Sequence, residues 1–183
     1  DVESADKRET RTVKVIGPAE WGGKNPGDGF VEHKIDKITI HHTATIHREK
    51  DDGKVQLRSI QAFHTGKDPG WPDIAYHYIA DARGNVYKGR PDRYRGDTMT
   101  AYDTAGHVLV CLLGNFEKQE PKGKQLDALA DIAALLMQKY DVPLKEVYIH
   151  KDLAETKCPG KNLIAHWEIG ELRDMIAERF AKY

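Results

Sequence analysis

Residues 37–43 read KITIHHT and decide the fold of this chain. Their apolar and β-branched side chains predict a buried strand that ends in two adjacent histidines. Residues 108–113 (VLVCLL) form a continuous apolar run, which predicts a central strand covered on both faces. Residues 146–150 (EVYIH) predict a further short strand, and this strand also ends in histidine.

Helices separate these strands along the chain. Apolar residues at helical spacing predict an amphipathic helix over residues 56–64, a longer one over residues 125–140 and a terminal one over residues 169–180. Residues 74–80 and 85–89 predict a β-hairpin. Because strands and helices alternate, we predict a single α/β domain with a central mixed β-sheet flanked by helices.

The length and charge of the chain bound its class. Its 183 residues fit one domain, which we place at residues 19–183 after a polar N-terminal extension over residues 1–18. The 28 Lys and Arg residues nearly balance the 29 Asp and Glu residues, and a net charge of −1 argues against nucleic acid as a partner. No apolar run approaches the ~18 residues of a membrane span, and the charged start lacks the apolar segment of a signal peptide. A monomer is the default expectation.

Histidine and cysteine are the residues whose placement suggests chemistry. One predicted strand ends at His41 and His42, another ends at His150, and Cys158 follows in the next loop. Imidazole nitrogens and a thiolate sulfur suit Zn²⁺, and three protein ligands leave the fourth position open, as in catalytic zinc sites. The spacing alone does not establish a metal site, because strand-end histidines are commonly packed residues and a lone cysteine is commonly a buried thiol. It also admits either His41 or His42 as a ligand, since only one of them faces a given side of the strand.

Four segments together resemble the N-acetylmuramoyl-L-alanine amidase family, which includes the peptidoglycan recognition proteins and the amidase-type lysozymes of phages. The segments are ITIHHTAT (38–45), WPDIAYHYIADARGNVYKGR (71–90), VLVCLLGNF (108–116) and HKDLAETKCPG (150–160). They occur in the order that the family has. The resemblance implies one zinc ion per chain on a mixed sheet flanked by helices, in a groove that holds a glycan-linked stem peptide.

The resemblance also assigns roles to individual residues. It implies that His41, His150 and Cys158 are the zinc ligands, and that the other cysteine of the chain lies in the core without a disulfide to Cys158. Tyr76 matches a tyrosine that the family places beside the zinc-bound water, and Thr156 falls near the substrate carbonyl. The resemblance places His64 and His77 beside the groove, where they either bind substrate or groups around the metal or serve packing, and it implies contacts of Trp71 with sugar and of Arg90 with a peptide carboxylate.

Two features of the sequence depart from the family pattern. Phage members often carry Lys at the position of Thr156, so a cationic partner for an oxyanion is missing here. Many members also have a His and an Asn–Ser pair before the central strand, and residues 99–107 (MTAYDTAGH) do not match them. The substrate contacts of this segment are therefore not assigned from the resemblance.

The function implied is zinc-dependent hydrolysis of the amide between N-acetylmuramic acid and L-alanine in peptidoglycan, which is the expected partner. Such a substrate implies a periplasmic, extracellular or phage-lytic setting. One alternative is a peptidoglycan receptor without activity, although members that have lost catalysis commonly lack the cysteine found here at Cys158. The other alternative is a structural zinc module, which predicts a closed fourth ligand such as His42.

Overall fold

The computed structural model describes residues 12–183, which form a six-stranded mixed sheet with helices on both faces. The strands are β1 (Val15–Ile16), β2 (Lys37–His42), β3 (Tyr78–Ala80), β4 (Val86–Lys88), β5 (His107–Leu112) and β6 (Val147–Ile149). The helices are α1 (Pro18–Trp21), α2 (Gly53–His64), α3 (Gly123–Tyr140), α4 (Lys161–Glu168) and α5 (Glu171–Phe180). The predicted fold class is confirmed.

The order of the strands across the sheet is β1-β4-β3-β5-β2-β6. The pair β3–β4 is antiparallel, as the predicted hairpin requires, and the other neighbouring pairs are parallel. Residues 12–18 belong to the predicted extension, yet they include β1, which pairs with β4. Residues 1–11 lie outside the described residues, so the extension stays a prediction there. Among the described residues, no helix has the length and apolar character needed to cross a membrane.

The two faces of the sheet bury different side chains. Ile38 and Ile40 of β2 join a large apolar cluster with α3, α4 and α5. Cys111 of β5 joins a smaller cluster on the other face, together with Leu57 of α2. His41 is paired in register with Cys111, so it lies on this second face. The continuous apolar run in β5 has its cause here, because helices cover both faces of that strand.

The C-terminal region differs from its prediction. The terminal helix predicted over residues 169–180 is α5, which begins two residues later, and sequence periodicity missed α4 before it. Gly170 separates them at φ 86°, a left-handed conformation that ends one helix and begins the next. Ile169, predicted to be part of the helix, is therefore 75% exposed at the junction.

Candidate functional site

The parallel pairing of β2 with β6 brings two histidines to the same edge of the sheet. Ile40 is paired with Ile149, so the residues that follow them, His41 and His150, lie side by side. His150 itself begins a short 3-10 turn instead of ending the strand, which is one residue shorter at each end than predicted. Cys158 reaches the same place from the next loop. One possible ligand atom from each of these three residues lies within 4.8 Å of the others.

Hydrogen bonds decide which ring nitrogens face the centre of this cluster. The Nε2 atom of His150 is 2.6 Å from the Thr100 hydroxyl, whereas its Nδ1 atom is buried without a partner. In His41, Nε2 is 3.1 Å from the Tyr102 hydroxyl and Nδ1 is 3.7 Å from the Cys158 sulfur. Nδ1 of His41 therefore faces Cys158, and Nδ1 of His150 is the ring nitrogen left free for the cluster.

The electrostatics of the cluster suit a metal ion. Burial lowers the pKa of His150 to about 4 and lowers that of His41 well below its usual value, so both rings are neutral near pH 7. Burial also raises the pKa of the Cys158 thiol to about 12. The backbone N–H of His42 donates to the sulfur at 3.4 Å and favours the thiolate. Two neutral nitrogens, one sulfur and an unpartnered buried Nδ1 fit Zn²⁺, whose binding must displace the thiol proton.

His42 does not join this cluster among the described residues. Its Nδ1 atom accepts a hydrogen bond from the backbone N–H of Phe116 at 3.3 Å, and its ring lies beside the Phe116 ring. The choice that spacing left open is thus made by strand alternation, which directs His41 to the cluster and His42 away from it. His42 therefore does not supply a fourth ligand that would close the site.

A groove opens beside the three candidate ligands, with a cavity of about 370 Å³. His64, Trp71, Tyr76 and Thr156 all contribute to its lining, and their contacts with a substrate stay a prediction. A neighbouring cavity of about 260 Å³ shares His64 and Tyr76 and also includes Gln56. The groove therefore continues along α2, and its length suits an extended ligand.

Tyr76 lies in the loop before β3, next to the candidate ligands. Its ring centroid is 5.7 Å from that of His41 and 5.8 Å from that of His64. Its ring packs against the apolar cluster that contains Cys111, which pairs in register with His41. Burial raises the pKa of the Tyr76 phenol well above its usual value, so it remains a proton donor. Cys111 and Cys158 are free thiols, and no disulfide joins them.

Thr156 shapes the loop that carries Cys158. Its Oγ1 atom accepts a hydrogen bond from the backbone N–H of Cys158 at 3.1 Å. The hydroxyl proton is not used in that contact and is available to a second acceptor. Lys157 lies beside it in the groove lining and is exposed.

The structure does not bring His77 and Arg90 to the groove. His77 is fully buried, with Nε2 bonded to the Tyr94 carbonyl at 2.7 Å and Nδ1 accepting from the Leu109 N–H at 2.9 Å. Arg90 is 1% exposed and pairs with Asp97 at 2.7 Å. Its guanidinium also donates to three backbone carbonyls, those of Ile74, Arg95 and Asp73. Both side chains hold the surrounding loops, and the predicted contact of Arg90 with a peptide carboxylate is not possible in this conformation.

Sequence reasoning missed the segment between β4 and β5. Asp97, Thr98, Met99 and Thr100 line the groove, and Met99 is 67% exposed there. Tyr102 from the same segment contacts His41. A signal was present in the concentration of hydroxyl-bearing residues just before β5, but nothing in their spacing indicated which side chains they would meet.

Comparison with known proteins places these features in a wider group. The sequence pattern of the family described as N-acetylmuramoyl-L-alanine amidase matches residues 31–161, which include all three candidate ligands. Peptidoglycan-recognition protein SD of Drosophila simulans is 31% identical over 159 residues, covering 84% of this chain and 83% of that protein. The endolysin of Escherichia phage T7 is 30% identical over 145 residues, covering 75% of this chain and 88% of that one.

The similarity extends to three dimensions. The crystal structure of Drosophila peptidoglycan recognition protein SD superposes on this chain with a TM-score of 0.78 at 27% sequence identity. The superposition covers 86% of this chain and 94% of the other. The sheet and the groove described above thus lie within a shared architecture.

Proposed function

Because this chain belongs to the N-acetylmuramoyl-L-alanine amidase family, we propose that it hydrolyses the amide bond between N-acetylmuramic acid and L-alanine in bacterial peptidoglycan. One zinc ion per chain, held by His41, His150 and Cys158, is part of this proposal. The observation that carries it is the convergence of two imidazole rings and one cysteine sulfur at an open groove. A purely structural zinc site would have four protein ligands and no open position.

An amide is a weak electrophile, and water at neutral pH is a weak nucleophile. A zinc ion in this cluster supplies a Lewis acid that addresses both weaknesses. The protein itself keeps His41 and His150 neutral through burial, so that their Nδ1 lone pairs are available at neutral pH.

Tyr76 and Thr156 supply neutral donors for the oxygen on which negative charge develops. The raised pKa of Tyr76 keeps its hydroxyl protonated, and the ring lies against His41. The Thr156 hydroxyl accepts from the Cys158 N–H and has its own proton free to donate. Donors that are already in position when charge develops stabilise the transition state without further reorganisation.

His64 and Trp71 form the part of the groove that we assign to substrate binding. Their rings meet edge to face with centroids 4.8 Å apart. The Nδ1 atom of His64 accepts from the Ala75 N–H at 3.0 Å, which fixes the ring in the groove lining. Aromatic surface of this kind suits the apolar face of a sugar ring or an alanine methyl group, and a glycopeptide offers both.

The setting follows from the substrate. Peptidoglycan lies outside the cytoplasmic membrane, so we propose periplasmic or extracellular action, or action during phage lysis. Recognition of peptidoglycan without hydrolysis is the second candidate function, and the similarity to a peptidoglycan-recognition protein supports it. The two candidates differ in whether a bond is broken.

Mass spectrometry of purified peptidoglycan incubated with the protein tests the proposal. We expect release of stem peptides with a new L-alanine amino terminus from glycan strands that keep the muramic acid carboxylate. A zinc chelator should stop the release, and added zinc should restore it. Cleavage of a glycosidic or peptide bond, or release that a chelator leaves unchanged, would contradict the proposal. Tight binding without cleavage would support the receptor.

A further inference from the structure

We propose that Thr100 and Tyr102, between β4 and β5, are positioning residues that fix the tautomer and ring orientation of His150 and His41. The inference rests on the proposed function in taking these histidines as metal ligands. It assigns a role to a segment that the family resemblance left without one. Neither residue touches substrate in this role, since each acts through a histidine.

Two sets of contacts, called arms here, lead away from the candidate ligands. The first arm begins at His150 and consists of threonine hydroxyls. The Thr100 Oγ1 atom is 2.6 Å from Nε2 of His150 and 2.8 Å from the hydroxyl of Thr98. Nδ1 of His150 is buried and has no partner. A buried N–H without an acceptor is rarer than an unsatisfied acceptor, so the ring proton belongs on Nε2. Nε2–H then donates to Thr100, and Thr100 donates to Thr98.

The second arm is longer and begins at His41. Its Nδ1 faces the Cys158 sulfur at 3.7 Å, and sulfur is a weak acceptor for a ring N–H, which favours the ring proton on Nε2. That N–H donates to the Tyr102 hydroxyl at 3.1 Å. Tyr102 packs edge to face on His107, with ring centroids 5.4 Å apart, and Nδ1 of His107 lies 2.6 Å from the Thr39 hydroxyl. This packing holds the Tyr102 ring in place beside His41.

This arrangement matters because a histidine binds a metal ion through a nitrogen that carries no proton. Partners on the far nitrogen select the tautomer and hold the ring plane, and losing such a partner typically lowers metal affinity about 10–100-fold. Both arms begin in the same short segment, and both favour the proton on Nε2. The segment therefore prepares two ligands at once for an ion between them.

Near-isosteric variants test the proposal. Thr100→Val and Tyr102→Phe each remove one hydroxyl and keep the volume of the side chain. Zinc affinity, measured by competition with a chelator, should fall about 10–100-fold in each. Nitrogen-15 NMR of the metal-free protein should show the Nε2–H tautomer for both histidines in the wild type. Thr100→Val should mix the tautomers of His150 only, and Tyr102→Phe those of His41 only.

Three further variants separate positioning from general destabilisation. Thr100→Ser keeps the hydroxyl and should restore the wild-type tautomer and affinity. Thr104→Val removes a buried hydroxyl of the same segment, which bonds the Gly96 carbonyl at 2.7 Å, and should change neither readout. Tyr148→Phe, whose hydroxyl bonds Glu146 at 2.9 Å, is the matched control for Tyr102→Phe.

The proposal is overturned if the facing histidine keeps its wild-type tautomer, or if the control variants change the readouts as much as the test variants do. The tautomer measurement uses metal-free protein, so it decides even when no cleavage is found. Wild-type protein that leaves peptidoglycan intact while Thr100→Val shifts the His150 tautomer would remove the proposed function and keep this inference. Cleavage together with unchanged tautomers would support the proposed function and overturn this inference.

Discussion

The two faces of the sheet differ in what they bury. The face beneath α3 receives Ile38 and Ile40 from β2 and is filled by apolar side chains. The opposite face receives Thr39 and His41 from the same strand and holds the candidate metal cluster. Neighbouring residues of a strand point to opposite faces, so one short segment serves both purposes.

The face beneath α3 contributes mainly to stability, whereas the other face carries the candidate chemistry. Apolar burial beneath α3 contributes roughly 25 cal/mol for each Å² removed from water. Polar groups on the other face must find partners, because a buried polar group without one is costly. His77 meets that requirement at both ring nitrogens, whereas His150 leaves Nδ1 unpartnered. Substitutions on the two faces should therefore have separable effects.

The largest effect is expected from Cys158→Ala. Loss of a ligand should lower zinc affinity by more than the ~100-fold that loss of a supporting hydrogen bond costs, and cleavage should become undetectable. The sheet should remain folded, since Cys158 lies in a loop and is half-buried. Zinc content, muropeptide cleavage and circular dichroism check these three outcomes.

Cys111→Ala is the matched control, because it removes the other free thiol of the chain. It should keep zinc, since Cys111 lies outside the cluster of candidate ligands. Equal loss of zinc in both variants would mean that the cluster has been placed wrongly.

A substitution on the face beneath α3 should lower stability and leave zinc binding unchanged. Leu129 of α3 is fully buried, and Leu129→Ala should lower the free energy of unfolding by about 2–5 kcal/mol. Zinc affinity of the folded variant should equal that of the wild type. Urea unfolding and chelator competition measure the two quantities.

Val55→Ala is the control for Leu129→Ala, since Val55 is 51% exposed on α2. It should change the free energy of unfolding by less than about 0.5 kcal/mol. A change in zinc affinity in Leu129→Ala would show that the two faces are coupled after all.

A smaller effect is expected within the groove. Tyr76→Phe should keep zinc and lower the turnover number about 10²–10³-fold, because one donor to the developing charge is lost. Tyr87→Phe removes a buried hydroxyl that bonds Asp81 at 2.8 Å outside the groove, and its turnover should match the wild type. Unchanged turnover in Tyr76→Phe would reduce Tyr76 to a packing role.

Much of the fold could be predicted from the sequence, because local patterns determine it. The run in β5 and the apolar stripe of α3 each predicted an element that the structure contains. Periodicity missed α4 and predicted α5 to begin two residues early, at Ile169, before the left-handed Gly170 that separates the two helices. Helix ends depend on a single backbone conformation that apolar spacing does not report.

The candidate site, like the fold, was predicted only in part. His41, His150 and Cys158 were predicted together from family motifs, and the structure brings them together. Arg90 was predicted to meet substrate, but two of its donors are taken by the carbonyls of Ile74 and Asp73, 16 and 17 residues away. Thr100 was missed for the same reason, since its partner lies 50 residues away. Contacts made across the sheet have no local pattern.

The pH dependence of zinc affinity tests the central claim most directly. Between pH 5.5 and 6.5 the Cys158 thiol is protonated, because burial raises its pKa to about 12, whereas His150 is already neutral with a pKa of about 4. Binding should then release one proton, so affinity should fall about tenfold for each unit by which the pH is lowered. We predict one zinc ion per chain with that slope. Absence of zinc binding, or an affinity independent of pH, would contradict the assignment of Cys158 with His41 and His150 as the metal site.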